Sequence, residues 1–82
     1  GEGRIVPDPP VSQRMLLLMR QARMTVADKG ERVAMREMRK HAAWYMRGLR
    51  GAAEFRRRSG EISSMEQLEQ LCFEVCRENE GQ

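Results

Sequence analysis

Residues that carry most catalytic and metal chemistry are scarce in this sequence. Its 82 residues include a single histidine, His41, and two cysteines. Two cysteines are too few for a disulfide scaffold, and one imidazole with two thiols falls short of a metal site. The sequence also has no glycine-rich phosphate loop and no pair of carboxylates in an apolar setting. We therefore predict no catalytic, metal-binding or cofactor-binding residue in this chain, and we expect it to be inactive as an enzyme on its own.

Long apolar runs and aromatic rings are also scarce. The longest apolar run covers residues 15–19, far short of the ~18 residues that a membrane-spanning helix needs. Aromatic residues make up 5% of the chain, and methionine, leucine and alanine supply most of its apolar volume, which favours helices over strands. Cys72 and Cys76 lie four residues apart, at a helical spacing that disfavours a disulfide between them. We expect two core or half-buried thiols in a reducing, cytoplasmic setting.

Proline and glycine divide the chain into a tail and four helices. Residues 1–11 contain three prolines and two glycines, which is typical of a linker. Ser12 can cap the first helix, Gly30 separates it from the second, and a capping-box pattern at residues 63–67 opens the last. The helices are predicted over residues 12–29, 31–47, 52–58 and 65–78. We predict an all-α fold, a small antiparallel four-helix bundle over residues 12–80 with an extended N-terminal tail.

Charge is distributed unevenly along the chain. The formal net charge is +3, yet residues 31–60 hold nine basic and three acidic side chains, while residues 61–82 hold one basic and six acidic ones. Arginine outnumbers lysine eight to one between residues 32 and 58. The planar guanidinium suits phosphate because it donates two parallel hydrogen bonds. The middle of the chain is therefore the part that we expect to meet a polyanion.

The second predicted helix separates apolar from basic side chains. Projected at ~100° per residue, one side carries a core stripe and the other an uninterrupted basic face. A face of one sign repels itself, which is costly unless a polyanion uses it; the alternative is that these arginines only keep a small domain soluble. The core stripe consists of Ala34, Met35, Met38, His41, Ala42, Tyr45 and Leu49, the basic face consists of Arg32, Arg36, Arg39, Lys40 and Arg47, and Arg50, Arg56, Arg57 and Arg58 extend that face.

Three features leave alternatives open. Trp44 projects beside the basic face, where it packs under the N-terminal tail, serves as a stacking platform for a base, or contacts a neighbouring domain. His41, at the edge of the core stripe, is expected to be a hydrogen-bonded structural residue rather than a ligand or a base. The apolar run at residues 15–19 surrounds the first helix, so it is either wholly buried or partly exposed as a surface for a partner.

A composite pattern over residues 36–56 resembles a known family. It runs R-x-x-R-K-H-x-x-W-Y-x-x-G-L-x-G-A-A-E-x-R and includes Gly48 and Gly51. It is similar to the C-terminal helical domain of bacterial tRNA-dihydrouridine synthases of the B-type subfamily. The flanking helices agree in length and character only. One departure is Arg50, which stands where the family's G-L-P-G turn has proline and which adds a positive charge near the basic face.

The resemblance implies a two-domain parent enzyme. Its TIM barrel binds FMN, takes reducing equivalents from NADPH and reduces uridine to dihydrouridine in tRNA, and a barrel cysteine protonates the ring. Cys72 and Cys76 are not that cysteine, since they belong to the helical domain. The linker at residues 1–11 would lead from the barrel into this domain, which would pack on the barrel and grip the tRNA.

The basic face and this resemblance together predict a set of tRNA contacts. For Arg39, which lies nearest the core stripe, the alternative to an RNA contact is a local hydrogen bond to a helix end. A competing hypothesis is a free-standing helical adaptor that binds an acidic protein or an anionic membrane surface; the tRNA hypothesis involves no membrane, and we expect the isolated domain to be monomeric. The predicted nucleic-acid-binding residues are Arg36, Arg39, Lys40, Arg47, Arg50, Arg57 and Arg58.

Overall fold

Four α-helices make up the computed structural model, which describes residues 10–80 of the chain. They are α1 (Val11–Lys29), α2 (Glu31–Tyr45), α3 (Ala52–Ser59) and α4 (Met65–Glu78). No strand occurs within these described residues. The all-α prediction is therefore confirmed. The predicted extended tail lies outside the described residues, apart from its last two positions.

Contacts at the helix ends show that neighbouring helices run antiparallel. The start of α1 meets the end of α2, where the Arg14 guanidinium donates a hydrogen bond to the Tyr45 carbonyl at 2.8 Å. The starts of α2 and α4 lie together, because the Met65 amide donates to the Glu31 carboxylate at 2.8 Å. At the other end, Asn79 hydrogen bonds the backbone of the turn before α3. α1 and α3 each pack against both α2 and α4, which gives the predicted antiparallel bundle.

Methionine and leucine fill the core between the helices. The buried apolar residues are Met15, Leu18, Ala22, Ala34, Met35, Met38, Ala42, Met46, Phe55, Ile62, Leu68, Leu71, Cys72 and Val75. Cys72 lies inside this core and Cys76 is half-buried against it, which confirms the expected placement of the two thiols. Burial raises the pKa of the Cys72 thiol to about 12, so this thiol stays protonated at neutral pH.

A single glycine joins α1 to α2. Gly30 has a φ of +87°, in the region that glycine adopts without steric cost. Its amide donates to the Val26 carbonyl at 2.8 Å, and its carbonyl accepts from the Ala34 amide at 2.9 Å. One residue therefore ends the first helix and begins the second, which keeps the two helices close along their length.

A second glycine allows the chain to turn from α2 into α3. Gly51 has a φ of +79°, and a β-carbon added there would lie 3.0 Å from Cε2 of Phe55. The Gly51 carbonyl accepts from the Phe55 amide at 3.0 Å, so the turn leads directly into the helix. Beyond this turn, α3 packs against α2.

The capping-box prediction for α4 is confirmed. The Ser64 hydroxyl accepts from the Gln67 amide at 3.1 Å, and the Gln67 side chain accepts from the Ser63 amide at 2.6 Å. The reciprocal bonds satisfy amides that would otherwise lack a partner in the first turn.

Other predicted helix boundaries are wrong by one or two residues. α1 begins at Val11, one residue early, and Ser12 lies inside its first turn rather than capping it. Pro10, extended with a ψ of 151°, already sets the start of that helix. α2 ends at Tyr45 instead of residue 47, because the chain turns from residue 46 on, and α3 extends one residue further, to Ser59. The Ser59 hydroxyl is buried and donates to the Phe55 carbonyl at 2.8 Å.

The core stripe predicted for α2 wrongly includes His41 and omits Met46. His41 is exposed and makes no hydrogen bond through its side chain within residues 10–80, so the expected structural role is not seen there. The buried positions of α2 centre on a direction ~80° around the helix from His41. Met46, just past the helix, is fully buried instead, because the turn folds it under the bundle.

The apolar run of α1 is only partly buried. Met15 and Leu18 are fully buried, while Leu16 and Leu17 are exposed. The alternative of a wholly buried run is therefore wrong, and the alternative of a partly exposed one is confirmed. Among the described residues, no helix is long and apolar enough to cross a membrane.

Candidate nucleic-acid interface

A row of cations follows the outward side of α2. Arg32, Arg36 and Lys40 succeed one another at intervals of four residues, and Arg47 follows just past the helix end. Each interval advances ~6 Å along the helix axis, so these side chains form a line. All four are exposed, and none forms an ion pair with a carboxylate in the described part of the chain. We call these four residues the basic row.

An exposed tryptophan continues this row. Trp44 stands four residues after Lys40 and is 64% exposed. Together with Lys40, Ala43, Arg47 and Arg56 it lines an open depression in the surface, which we call the Trp44 hollow. Arg56 belongs to α3 and reaches this hollow because the turn at residues 46–51 folds α3 against the end of α2.

The predicted binding set omits two of the exposed cations on this surface, Arg32 of the basic row and Arg56 of the Trp44 hollow. Arg56 is the one that the tertiary structure brings in. It was recognised only as an extension of the basic face, because its distance in sequence hides its proximity to Trp44. The signal that could have placed it is the pair of glycines at 48 and 51, both with positive φ, which reverses the chain between the two helices.

Three of the seven predicted contact residues are held by partners within the bundle. Arg39 donates through Nε to the Ile62 carbonyl at 2.9 Å, which lies 23 residues away in the segment between α3 and α4 rather than at a nearby helix end. Arg57 pairs with Glu54 in α3 and with Glu61, which follows the end of α3. Their guanidinium groups are less available to an outside anion than those of the basic row.

Arg58 makes the best-formed of these internal ion pairs. Both of its terminal nitrogens donate to Glu74, at 2.7 and 3.1 Å, and Glu74 also accepts from Gln70. The guanidinium also lies over the Phe55 ring, 6.0 Å from its centroid. This bidentate pair links α3 to α4, so Arg58 has a structural use whether or not it meets a ligand.

The remaining predicted contacts are exposed. Arg36, Lys40 and Arg47 belong to the basic row, and Arg50 is exposed in the turn after it. The backbone of Arg50 is fixed by Asn79, which accepts from its amide at 2.9 Å and donates to its carbonyl at 3.3 Å. Arg14 similarly fixes the end of α2 by donating to the Arg47 carbonyl at 3.2 Å. These three hydrogen bonds fix the backbone around the end of the basic row.

The pair between Arg58 and Glu74 predicts an acid-sensitive contribution to stability. Hydrogen bonds from Arg58 and Gln70 lower the pKa of Glu74 from 4.5 to about 2. Because the folded state holds the carboxylate ionised, its contribution is present above pH ~4.5 and is lost as the pH falls towards 2. Thermal melting by circular dichroism should therefore show wild type more stable than Glu74→Gln at pH 6, with the two melting temperatures converging between pH 4.5 and 2. A difference that stays constant over this range would contradict the assignment.

The chain is similar to known proteins of one family. The family model described as dihydrouridine synthase (Dus) matches residues 1–80. A protein of Mycobacterium leprae (strain TN), named "Probable tRNA-dihydrouridine synthase", is 33% identical over 70 residues, which cover 84% of this chain and 18% of that protein. The chain thus spans about a fifth of the length of this curated relative. No solved structure matches the chain. By the extent of the family match, the chain belongs to the dihydrouridine synthase family.

Proposed function

We propose that residues 10–80 form the tRNA-binding unit of a tRNA-dihydrouridine synthase. The observation that carries this proposal is the basic row: three exposed cations along α2 and a fourth just past its end, without a carboxylate partner in the described part of the chain. A row of this kind is costly in the free protein and favourable against a phosphate backbone. The relative that is 33% identical over 70 residues is named "Probable tRNA-dihydrouridine synthase".

The row fits recognition by phosphate position rather than by base sequence. Three of its cations follow a line along α2, and three of the four are arginine, whose guanidinium suits the paired oxygens of a phosphate. Folded RNA is recognised largely through its backbone and shape, because the deep groove of its helices excludes side chains. We propose Arg36, Lys40, Arg47 and Arg50 as the principal contacts. Arg39, Arg57 and Arg58 would join them only if RNA displaced their present partners.

The catalytic part of the parent enzyme lies outside this chain under the same proposal. We place FMN, the NADPH that reduces it and the reaction of uridine in a TIM barrel of the parent. This chain would be its C-terminal helical domain, of the B-type subfamily, acting in the cytoplasm and monomeric when isolated.

An amide-shift titration tests the proposal directly. The labelled 82-residue chain is titrated with an unmodified tRNA transcript at two salt concentrations, with an acidic peptide and anionic vesicles as controls. We expect tRNA to shift the amide signals of residues 32–50, and we expect these shifts to weaken steeply as salt is added. The peptide and the vesicles, at the same concentration of negative charge, should not produce them. Stronger shifts with peptide or vesicles than with tRNA would favour the adaptor hypothesis and overturn the proposal.

A further inference from the structure

The chain exposes its one tryptophan among cations. The indole of Trp44 is 64% exposed, although burial of a ring of this size would stabilise a small domain considerably. Its neighbours in the Trp44 hollow are Lys40, Arg47 and Arg56. A large apolar ring that shares a hollow with three cations offers a surface for a flat apolar group and positive charge for an anionic one.

The ring is held from one side without being covered. Tyr45 meets it edge to face, with 5.9 Å between ring centroids and 73° between ring planes. Tyr45 is itself half-buried against the core, so it anchors the end of α2 on which Trp44 stands. Among residues 10–80, the cation recorded over an aromatic ring is Arg58 over Phe55, and no cation covers Trp44. The indole is therefore available to stack on another ring.

We propose that Trp44 stacks on an unpaired RNA base while Lys40, Arg47 and Arg56 bind the phosphates on either side of it. This inference rests on the proposed RNA-binding function and adds to it a base that must be unstacked from its neighbours. Stacking of a base on an aromatic side chain, flanked by cations that follow the backbone, is how single-stranded nucleic acid is commonly held.

The composition of the hollow argues against other ligands. The three cations that line the same hollow repel a cationic ligand, which disfavours an aromatic site for a quaternary ammonium. A polyanion without rings would use the cations and leave the indole exposed. A base inside an RNA helix has both faces covered by its neighbours, so the ring can only reach one in a loop, a bulge or an end.

The fluorescence of Trp44 can report this stacking directly, because Trp44 is the sole tryptophan of the chain. Fluorescence of the 82-residue protein is followed during titration with an eight-residue oligouridylate, with unmodified tRNA, with an RNA duplex whose ends are closed by flexible tethers, and with inorganic polyphosphate. We expect oligouridylate and tRNA to quench the fluorescence of Trp44. The closed duplex and polyphosphate should bind, as measured by competition for a labelled tRNA, without quenching it.

Two variants and a matched control separate stacking from charge. Trp44→Leu should bind oligouridylate about 10- to 100-fold more weakly, the range expected for loss of one stacked base, while its affinity for polyphosphate stays unchanged. Trp44→Phe keeps a ring and should recover most of the loss. Phe73→Leu removes a ring that is similarly exposed, at 60%, but lies on α4 away from the basic row, and it should bind like wild type.

Each adverse outcome has its own meaning. Equal affinity of Trp44→Leu and wild type for oligouridylate would overturn the stacking site and leave the proposed tRNA binding intact. If no RNA binds even at low salt, the proposed function fails and the stacking site with it. If acrylamide does not quench Trp44 in the free protein, another part of the chain covers the ring, and the stacking site is overturned as well.

Discussion

Replacing Arg36, Lys40 and Arg47 together with glutamine is expected to weaken tRNA binding by roughly 100-fold at 50 mM salt. Each cation that neutralises a phosphate releases counterions, and its loss lowers the slope of log affinity against log salt by roughly 0.7 to 0.9. The triple variant should therefore show a slope smaller by roughly 2 to 3 units. Binding of a fluorescent tRNA by anisotropy over a range of salt concentrations measures both quantities.

A second triple variant controls for net charge. Arg20, Arg23 and Arg77 lie on α1 and α4, and their replacement with glutamine makes the same change in charge. Electrostatic attraction at a distance falls in both variants, but only the first loses direct phosphate contacts. We expect the control to lower the slope by less than about one unit. Equal weakening by both triples would show that tRNA responds to overall charge, and the basic row would lose its special role.

Replacing Leu18 with alanine is expected to remove a large part of the folding free energy. Leu18 is fully buried in the core, and truncation of such a leucine costs about 2–5 kcal/mol in transfer free energy and cavity formation. A domain of this size has a free energy of unfolding of only about 4–12 kcal/mol. The melting temperature should fall by about 10 °C or more.

The neighbouring leucine provides the matched control. Leu16 belongs to the same apolar run, yet it is 60% exposed. Leu16→Ala should change the free energy of unfolding by no more than about 0.5 kcal/mol, since no cavity forms. Urea unfolding followed by circular dichroism compares the two variants. Similar losses at both positions would mean that Leu16 is covered by another part of the chain.

Leu16 and Leu18 show that the local sequence pattern does not determine which apolar residues of α1 are buried. Met15, Leu16, Leu17 and Leu18 are all apolar, so periodicity cannot tell which of them face the bundle. The choice is made by where α2 and α4 pack against α1, which depends on residues far away in sequence. The same reason explains His41 and Met46, whose burial was reversed relative to the predicted stripe.

Features that depend on near neighbours in sequence were predictable. The helical fold, the break at Gly30, the bounds of α4 and its serine cap follow from spacings of four residues or fewer. The uneven charge and the outward placement of Arg36 and Lys40 follow from composition and from the helical period in the same way.

What only the tertiary structure decided is which cations have partners and which do not. Arg58 meets Glu74 across 16 residues and Arg39 meets the Ile62 carbonyl across 23, whereas Arg56 is brought beside Trp44 by a turn. A sequence determines the side on which a helix carries its charge, because that depends on a period of ~3.6 residues. It does not show which charges are paired across helices, because those partners meet only when the bundle closes.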